Sequence, residues 1–151
     1  MYHCLVLPPK ELQPMFDVSH FSTYPIISIP QEFHDQRGYI LNIADGVLGD
    51  VAVISSIPGS IRANHYHETD WHLSFLLSGS MRYSWKSLDT EDKGQIDIGA
   101  GTLFFTPEKT IHQMLFLKES IFIAISKLGR SKLNYESDTV RVNKLVLDED
   151  K

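Results

Sequence analysis

An all-β barrel is the fold class the sequence predicts, and three observations carry it. From Pro25 onward, short apolar or alternating runs recur with turn-forming clusters between them, the pattern of a sandwich or barrel. No segment beyond residue 25 keeps a helical period over a useful length. The chain's 151 residues suit one domain and suffice to bury a core without disulfide or metal staples.

Residues 1–24 read as an irregular N-terminal segment. Pro8, Pro9 and Pro14 interrupt any long helix, leaving room for a short helical turn over 10–16. Residues 25–147 read as the barrel. An isoleucine-rich run predicts a strand over 26–30, and the turn at 35–38 introduces another over 38–44. After the turn cluster 45–50, alternation predicts 50–57. Pro58-Gly59 then turns the chain into 60–67. The turn 68–70 leads to 71–77, and Ser78 to Ser80 leads to 80–87, where Met81, Tyr83 and Trp85 alternate. The charge run 89–93 (DTEDK) is a solvated hairpin tip before 95–98. Gly99 to Gly101 precedes 102–106, and the turn 107–110 precedes 111–117. Alternating runs follow over 120–126 and 139–147.

Composition excludes several classes. Hydrophobic residues are 42% and charged residues 22%, which fits neither a disordered tail nor a fibrous chain. Fourteen Lys and Arg against 19 Asp and Glu give a formal charge of −5. That argues against a nucleic-acid partner, which needs a basic face. An acidic chain still binds an anionic small molecule through a few placed arginines. The single cysteine, Cys4, makes no internal disulfide and no Cys-based zinc site. No signal-peptide pattern and no membrane-length apolar run is read, so a cytoplasmic protein with no membrane partner is expected.

The histidines are the chemical signal. Three of seven fall in the segment NHYHETDWH: His65, His67 and His72. On a strand, His65 and His67 share a face, whereas on a helix they diverge. His72 joins that face only if the chain turns at 68–70. Neutral imidazoles in such a cluster suit transition metals. His3, His20 and His34 stand alone and read as incidental. Alternation turns Tyr66 away from the paired histidines.

The residues Gly59, His65, His67, His72 and Gly79 are spaced as in the first cupin motif. Gly101, Pro107 and His112 resemble the second. Three positions depart: His72 stands where the family has Glu, Lys109 where it has Gly, and Phe116 where it has Asn. The resemblance implies a double-stranded β-helix of the jelly-roll type, often dimeric. It also implies that His65, His67, His72 and His112 converge as ligands to one divalent transition metal. Exchanging the carboxylate for a fourth imidazole leaves such a site about one charge more positive. That points to zinc or nickel, with iron as a further option, rather than to magnesium or calcium.

A narrower resemblance covers Phe33-His34-Asp35-Gln36-Arg37-Gly38 and Arg62-Ala63-Asn64-His65-Tyr66. These are similar to segments of the nucleotide-sugar 3,5-epimerases and 3,4-ketoisomerases. The resemblance implies Arg37 and Arg62 as ligands of a nucleotide diphosphate. It also implies His65 as a base beside a ketone, a role open to His65 only if no metal takes it. Asp-x-Arg-Gly is equally an ordinary hairpin turn, and Arg62 equally a solvent-facing residue. Tyr83 is either an acid or substrate ligand, or a core aromatic. The segment 135–141 reads as leading into an edge or dimer strand and is given no chemical role.

Three functions follow. The first is a metal-binding isomerase or epimerase acting on a sugar, nucleotide-activated, in polysaccharide or glycan assembly, as a homodimer. The second is a metal-dependent oxygenase or lyase on another small molecule. The third is a non-catalytic sugar-binding cupin. Fold alone does not choose among them.

Overall fold

The computed structural model describes residues 26–28, 32–46 and 48–143. The segment 1–24 and the barrel's expected end at 144–147 lie outside the described residues. Twelve strands and one helix follow in chain order: β1 (Ile26–Ser28), β2 (Glu32–Asp35), β3 (Gly38–Leu41), β4 (Asp50–Ser56), β5 (Ile61–His67), β6 (His72–Ser78), β7 (Ser80–Ser87), β8 (Lys93–Gly99), β9 (Leu103–Thr106), β10 (Thr110–Phe116), β11 (Ser120–Ser126), α1 (Lys132–Asp138) and β12 (Thr139–Arg141).

The strands form two five-stranded sheets, ordered β1-β9-β6-β11-β4 and β12-β5-β10-β7-β8, and a separate β2–β3 pair. Every pairing is antiparallel. From β4 to β11 the chain crosses between the two large sheets at every step except the β7–β8 hairpin. That winding is a jelly roll, the all-β class expected from the sequence.

The period-two pattern sets what each face buries. Leu76, Met81, Tyr83, Phe104, Met114, Phe116 and Phe122 pack between the sheets. Leu73, Phe75, Leu103, Phe105 and Ile125 point out of the first sheet and form a second cluster with Leu41, Ile43, Ala44, Leu48 and Trp71. The segment after β3 therefore serves as a cover, and the strand expected over 38–44 ends at Leu41. Gly79 joins β6 to β7 at φ +86, and a Cβ there would strike the backbone of Glu119 and Ser120.

Two elements differ from the sequence reading. The stretch 32–35 pairs with β3 as β2, closing a hairpin in which the Asp35 carboxylate accepts from the Arg37 N–H at 2.7 Å. Residues 132–138 form a helix where none was expected. It holds seven residues, capped by Ser131, whose side chain accepts from the Asn134 N–H. Two turns are too short to show a 3.6-residue period, so only the cap marks it in sequence. The strand expected from residue 139 is described as β12 as far as Arg141.

Candidate metal and substrate centre

The centre is built on three strands from both sheets. His65 and His67 lie on β5, His112 faces them on β10, and His72 opens β6 on the opposite sheet. Their exposures are 8%, 2%, 1% and 8% for His65, His67, His112 and His72. Ring centroids lie 4.7 Å apart for His65–His67, 4.8 Å for His65–His112 and 4.4 Å for His67–His72. The ligand atoms of His65, His67 and His112 lie within 4.8 Å of one another, and so do those of His67, Asp70 and His72. All four histidines singled out by spacing and resemblance thus meet in one chamber.

The far side of three of the four rings is tied down. His112 Nδ1–H donates to the Thr110 carbonyl at 3.0 Å, and the His65 ring bonds the Ala63 carbonyl. His67 Nδ1 sits 3.5 Å from Asp138 Oδ2 and 3.4 Å from Thr139 Oγ1, while its Nε2 is buried with no hydrogen-bond partner. His72 Nε2 lies 3.3 Å from Asp70 Oδ2 without the angle of a hydrogen bond. Such outer partners fix the tautomer and aim the other nitrogen inward.

The two carboxylates behind the histidines were not read from the sequence. Asp138, at the end of α1, accepts from the Thr69 N–H and hydroxyl at 3.0 and 2.7 Å and from the Asp70 N–H at 3.1 Å. It holds the 68–70 turn that brings His72 to His67. Asp70 accepts from the Leu128 N–H at 3.0 Å. Burial raises its pKa, but contact with His72, then the Leu128 N–H and the His67 charge, leave it below the ordinary value.

Burial dominates the imidazoles. It pushes His65 down to about 3, with charge on His67 and His72 adding to the effect. Burial holds His67 at about 4, reinforced by His72 and partly offset by Asp70 and Asp138. His112 lies well below its ordinary value because of burial, then its neighbour His65. These three rings are neutral at neutral pH.

A β-bulge brings Arg62 to the same chamber. On β5, Ala63 and Asn64 take left-handed conformations at φ 70° and 61°. In the ladder, His65 opposes His112 while Ala63 opposes Gln113, so Asn64 is the extra residue. Simple alternation would turn Arg62 away from His65. The bulge reverses that, and Arg62 opposes the inward-facing Met114. A cavity of about 160 Å³ results, lined by Arg62, His65, His72 and His112 together with Arg130 and Tyr135. The Tyr135 ring stands 6.2 Å from His65 and 5.8 Å from His67, although sequence assigned this segment no chemistry.

The remaining expected residues lie elsewhere. Arg37 is 86% exposed at the β2–β3 turn, paired with Asp35, and does not line this cavity. Tyr83 is fully buried, hydrogen-bonded to Thr106 Oγ1 at 2.8 Å, with its ring stacked 6.4 Å from that of His112. It sits in the core beneath the chamber and does not line the cavity.

No family model and no curated protein matches the chain. Solved structures do. A double mutant of a 3,4-ketoisomerase from Thermoanaerobacterium thermosaccharolyticum, in complex with TDP, superposes with a TM-score of 0.64 at 17% identity, covering 80% of this chain and 90% of that one. A dTDP-4-dehydrorhamnose 3,5-epimerase from Elizabethkingia anophelis gives 0.62 at 19% identity, covering 77% and 73%. A 3′-monoepimerase from Streptomyces bikiniensis, in complex with dTDP-quinovose, gives 0.66 at 16% identity, covering 80% and 70%. The fold is the cupin jelly roll shared by these nucleotide-sugar isomerases and epimerases.

Proposed function

We propose that the histidine chamber is the active centre of an isomerase or epimerase acting on a sugar, nucleotide-activated, and that it holds one divalent transition metal. The observation that carries the metal is the donor set. Three buried rings are neutral at working pH, their outer nitrogens are engaged, and His67 Nε2 has no partner. A buried polar atom left without a partner costs on the order of 1–3 kcal/mol, and a borderline transition-metal cation that accepts imidazole nitrogen would relieve that cost. His65, His67, His72 and His112 would hold it, with zinc or nickel suiting four imidazoles best and iron next. Held by these four rings, such a metal would supply Lewis-acid polarisation of a carbonyl oxygen.

The chain's own residues supply the rest. Arg62 Nε donates to Ser56 Oγ at 2.7 Å and its Nη2 to the Ser55 carbonyl at 2.7 Å, so the guanidinium is held in place beside the chamber. Tyr135 stands edge-on to His65 and His67. With a pKa near 3, His65 is a weak base at neutral pH, whereas a working base sits near the operating pH. This favours His65 as ligand over His65 as base. That the sugar is carried on a nucleotide rests on the likeness to the dTDP-sugar enzymes.

A homodimer belongs with this reading. Among the described residues β2 and β3 pair only with each other and expose Phe33 and Tyr39 at 63% and Ile40 at 57%. An isolated hairpin is marginal in water, and a second copy seated on it would cover these side chains. No helix among the described residues is long and apolar enough to cross a membrane.

Metal analysis of tag-free protein by mass spectrometry tests the centre. About one zinc, nickel or iron per chain is expected. His65→Ala and His112→Ala should each lose it while the far-ultraviolet dichroism stays that of the parent. Full occupancy in either variant would exclude the four-histidine site, and a parent that takes up no metal on reconstitution would return His65 to the role of base.

A further inference from the structure

Asp70 turns a carboxylate toward an imidazole without hydrogen-bonding to it. The residue stands in the 68–70 turn between β5 and β6, outside the fixed positions of the cupin motif, and is 4% exposed. One oxygen, Oδ1, accepts from the Leu128 N–H at 3.0 Å. The other, Oδ2, lies 3.3 Å from His72 Nε2, yet that buried nitrogen makes no hydrogen bond. The axis of the ring nitrogen therefore passes beside the oxygen instead of meeting it. His67 Nε2 is buried without a partner as well, and ligand atoms of His67, Asp70 and His72 lie within 4.8 Å of one another.

Such a placement fits two ligands of one ion better than an ion pair. A charged pair is strongest with the N–H aligned on the oxygen. Two metal ligands aim at the ion and not at each other. With bonds of about 2.1 Å, a tetrahedral angle sets them about 3.4 Å apart, and Asp70 Oδ2 stands 3.3 Å from His72 Nε2. A buried carboxylate also calls for a cation, and among the described residues the one group within ion-pair distance of Asp70 is His72. Asp138 provides the contrast. It sits against the outer nitrogen of His67, and its oxygens are engaged by the Thr69 N–H and hydroxyl and by the Asp70 N–H. Asp138 is a support, whereas Asp70 keeps an oxygen toward the imidazoles.

We propose that Asp70 is a metal ligand, joining His67 and His72 on a divalent ion in the chamber. That assignment rests on the reading of the chamber as a metal centre and adds to it an anionic oxygen donor from the β5–β6 turn. His67 belongs both to this group and to the group with His65 and His112, so an ion on His67 is within reach of both. Asp70 does not line the cavity. It holds the ion from the protein side and leaves the cavity side to substrate. The oxygen widens the choice of ion: imidazoles alone favour zinc or nickel, whereas a carboxylate also suits manganese and iron(II).

Calorimetric titration of the full chain with zinc chloride and manganese(II) chloride tests this. The parent should bind both ions. Asp70→Asn keeps an amide oxygen for the Leu128 N–H and removes the charge. It should weaken manganese by about a hundredfold or more and zinc by less, because manganese depends on oxygen donors. Asp138→Asn, which alters an outer partner, should weaken the two ions alike. In crystals of the zinc-loaded parent, anomalous scattering should place the ion about 2.0–2.2 Å from Asp70 Oδ2, and a distance beyond about 3 Å overturns the assignment. An Asp70→Asn protein that binds both ions within about twofold of the parent, or loses both equally, overturns it too, since Asp70 is then a support and not a ligand. His65→Ala and His112→Ala separate this assignment from the reading beneath it. If they keep the ion while Asp70→Asn loses manganese, the four-histidine set fails and Asp70 stands as a ligand. If they lose the ion while Asp70→Asn binds like the parent, the four-histidine set stands and Asp70 is no ligand. A parent that binds neither ion overturns both.

Discussion

His65 and His67 were legible because a spacing of two puts both imidazoles on one face of a strand and side by side. Their partners were not. Asp138 lies 71 positions from His67 in the chain and meets it only once α1 and β12 are laid against β5. Asp70 stands inside the histidine segment but read only as part of a turn. The rings' burial has a measurable consequence. In the unfolded chain an imidazole titrates near 6.5, whereas folded His65 and His67 titrate at about 3 and about 4. Below pH 6.5 the unfolded state binds protons that the folded state refuses, so stability is present above that value and is lost as pH falls toward the folded values. Each group contributes a slope of about 1.4 kcal/mol per pH unit within its window. The metal-stripped protein should therefore melt at markedly lower temperature at pH 5 than at pH 7. The lowered pKa of Asp70 acts in a more acidic range, at and below its ordinary value of 3.8. Equal melting temperatures at pH 5 and 7, measured by calorimetry, would contradict the burial of neutral rings.

At the scale of elements, alternation located the strands well and failed at β5. Alternation assumes one residue per step, and β5 spends an extra one at Asn64. Without the bulge, Arg62 and His65 point to opposite faces; with it they share a cavity. No residue in R-A-N-H-Y announces this, because the αL pair holds Ala where glycine would be expected. An L-residue in that region costs about 1–2 kcal/mol. Glycine at residue 63 removes the strain but frees the unfolded chain by roughly 0.5–1 kcal/mol. Ala63→Gly should therefore be neutral to stabilising, by about 0.5 kcal/mol, in urea unfolding at neutral pH. A loss above about 1 kcal/mol would mean that the Ala63 methyl, which packs against the core, outweighs its backbone strain.

The whole molecule shows why the fold was more legible than its assembly. Two facing sheets bury period-two stripes, and those stripes are written in the strands themselves. The surfaces left uncovered depend on what lies beyond one chain. The hairpin exposes Phe33, Tyr39 and Ile40, and the edge strand β4 exposes Val51 and Val53 at 57% and 71%. Monomers seldom leave such apolar groups open together. Light scattering after size-exclusion chromatography should give twice the chain mass of 17.2 kDa. Phe33→Glu combined with Ile40→Glu should give a folded monomer. A parent that runs as a monomer at micromolar concentration would remove the dimer from the reading. Arg37 belongs to this scale as well: among the described residues its hydrogen bonds go to Asp35 of its own turn, so its role is decided by whatever the hairpin meets.

The carboxylate of Asp138 ties His67 to the 68–70 turn, and it is made after all four histidines. A chain leaving the ribosome exposes His65, His67, His72 and His112 before the residue that locks one of them exists. The barrel's strands up to β11 are complete by residue 126, but His67 gains its carboxylate only when Asp138 arrives. A chain cut short before α1 would carry the four imidazoles without the carboxylate that clasps His67 to the 68–70 turn.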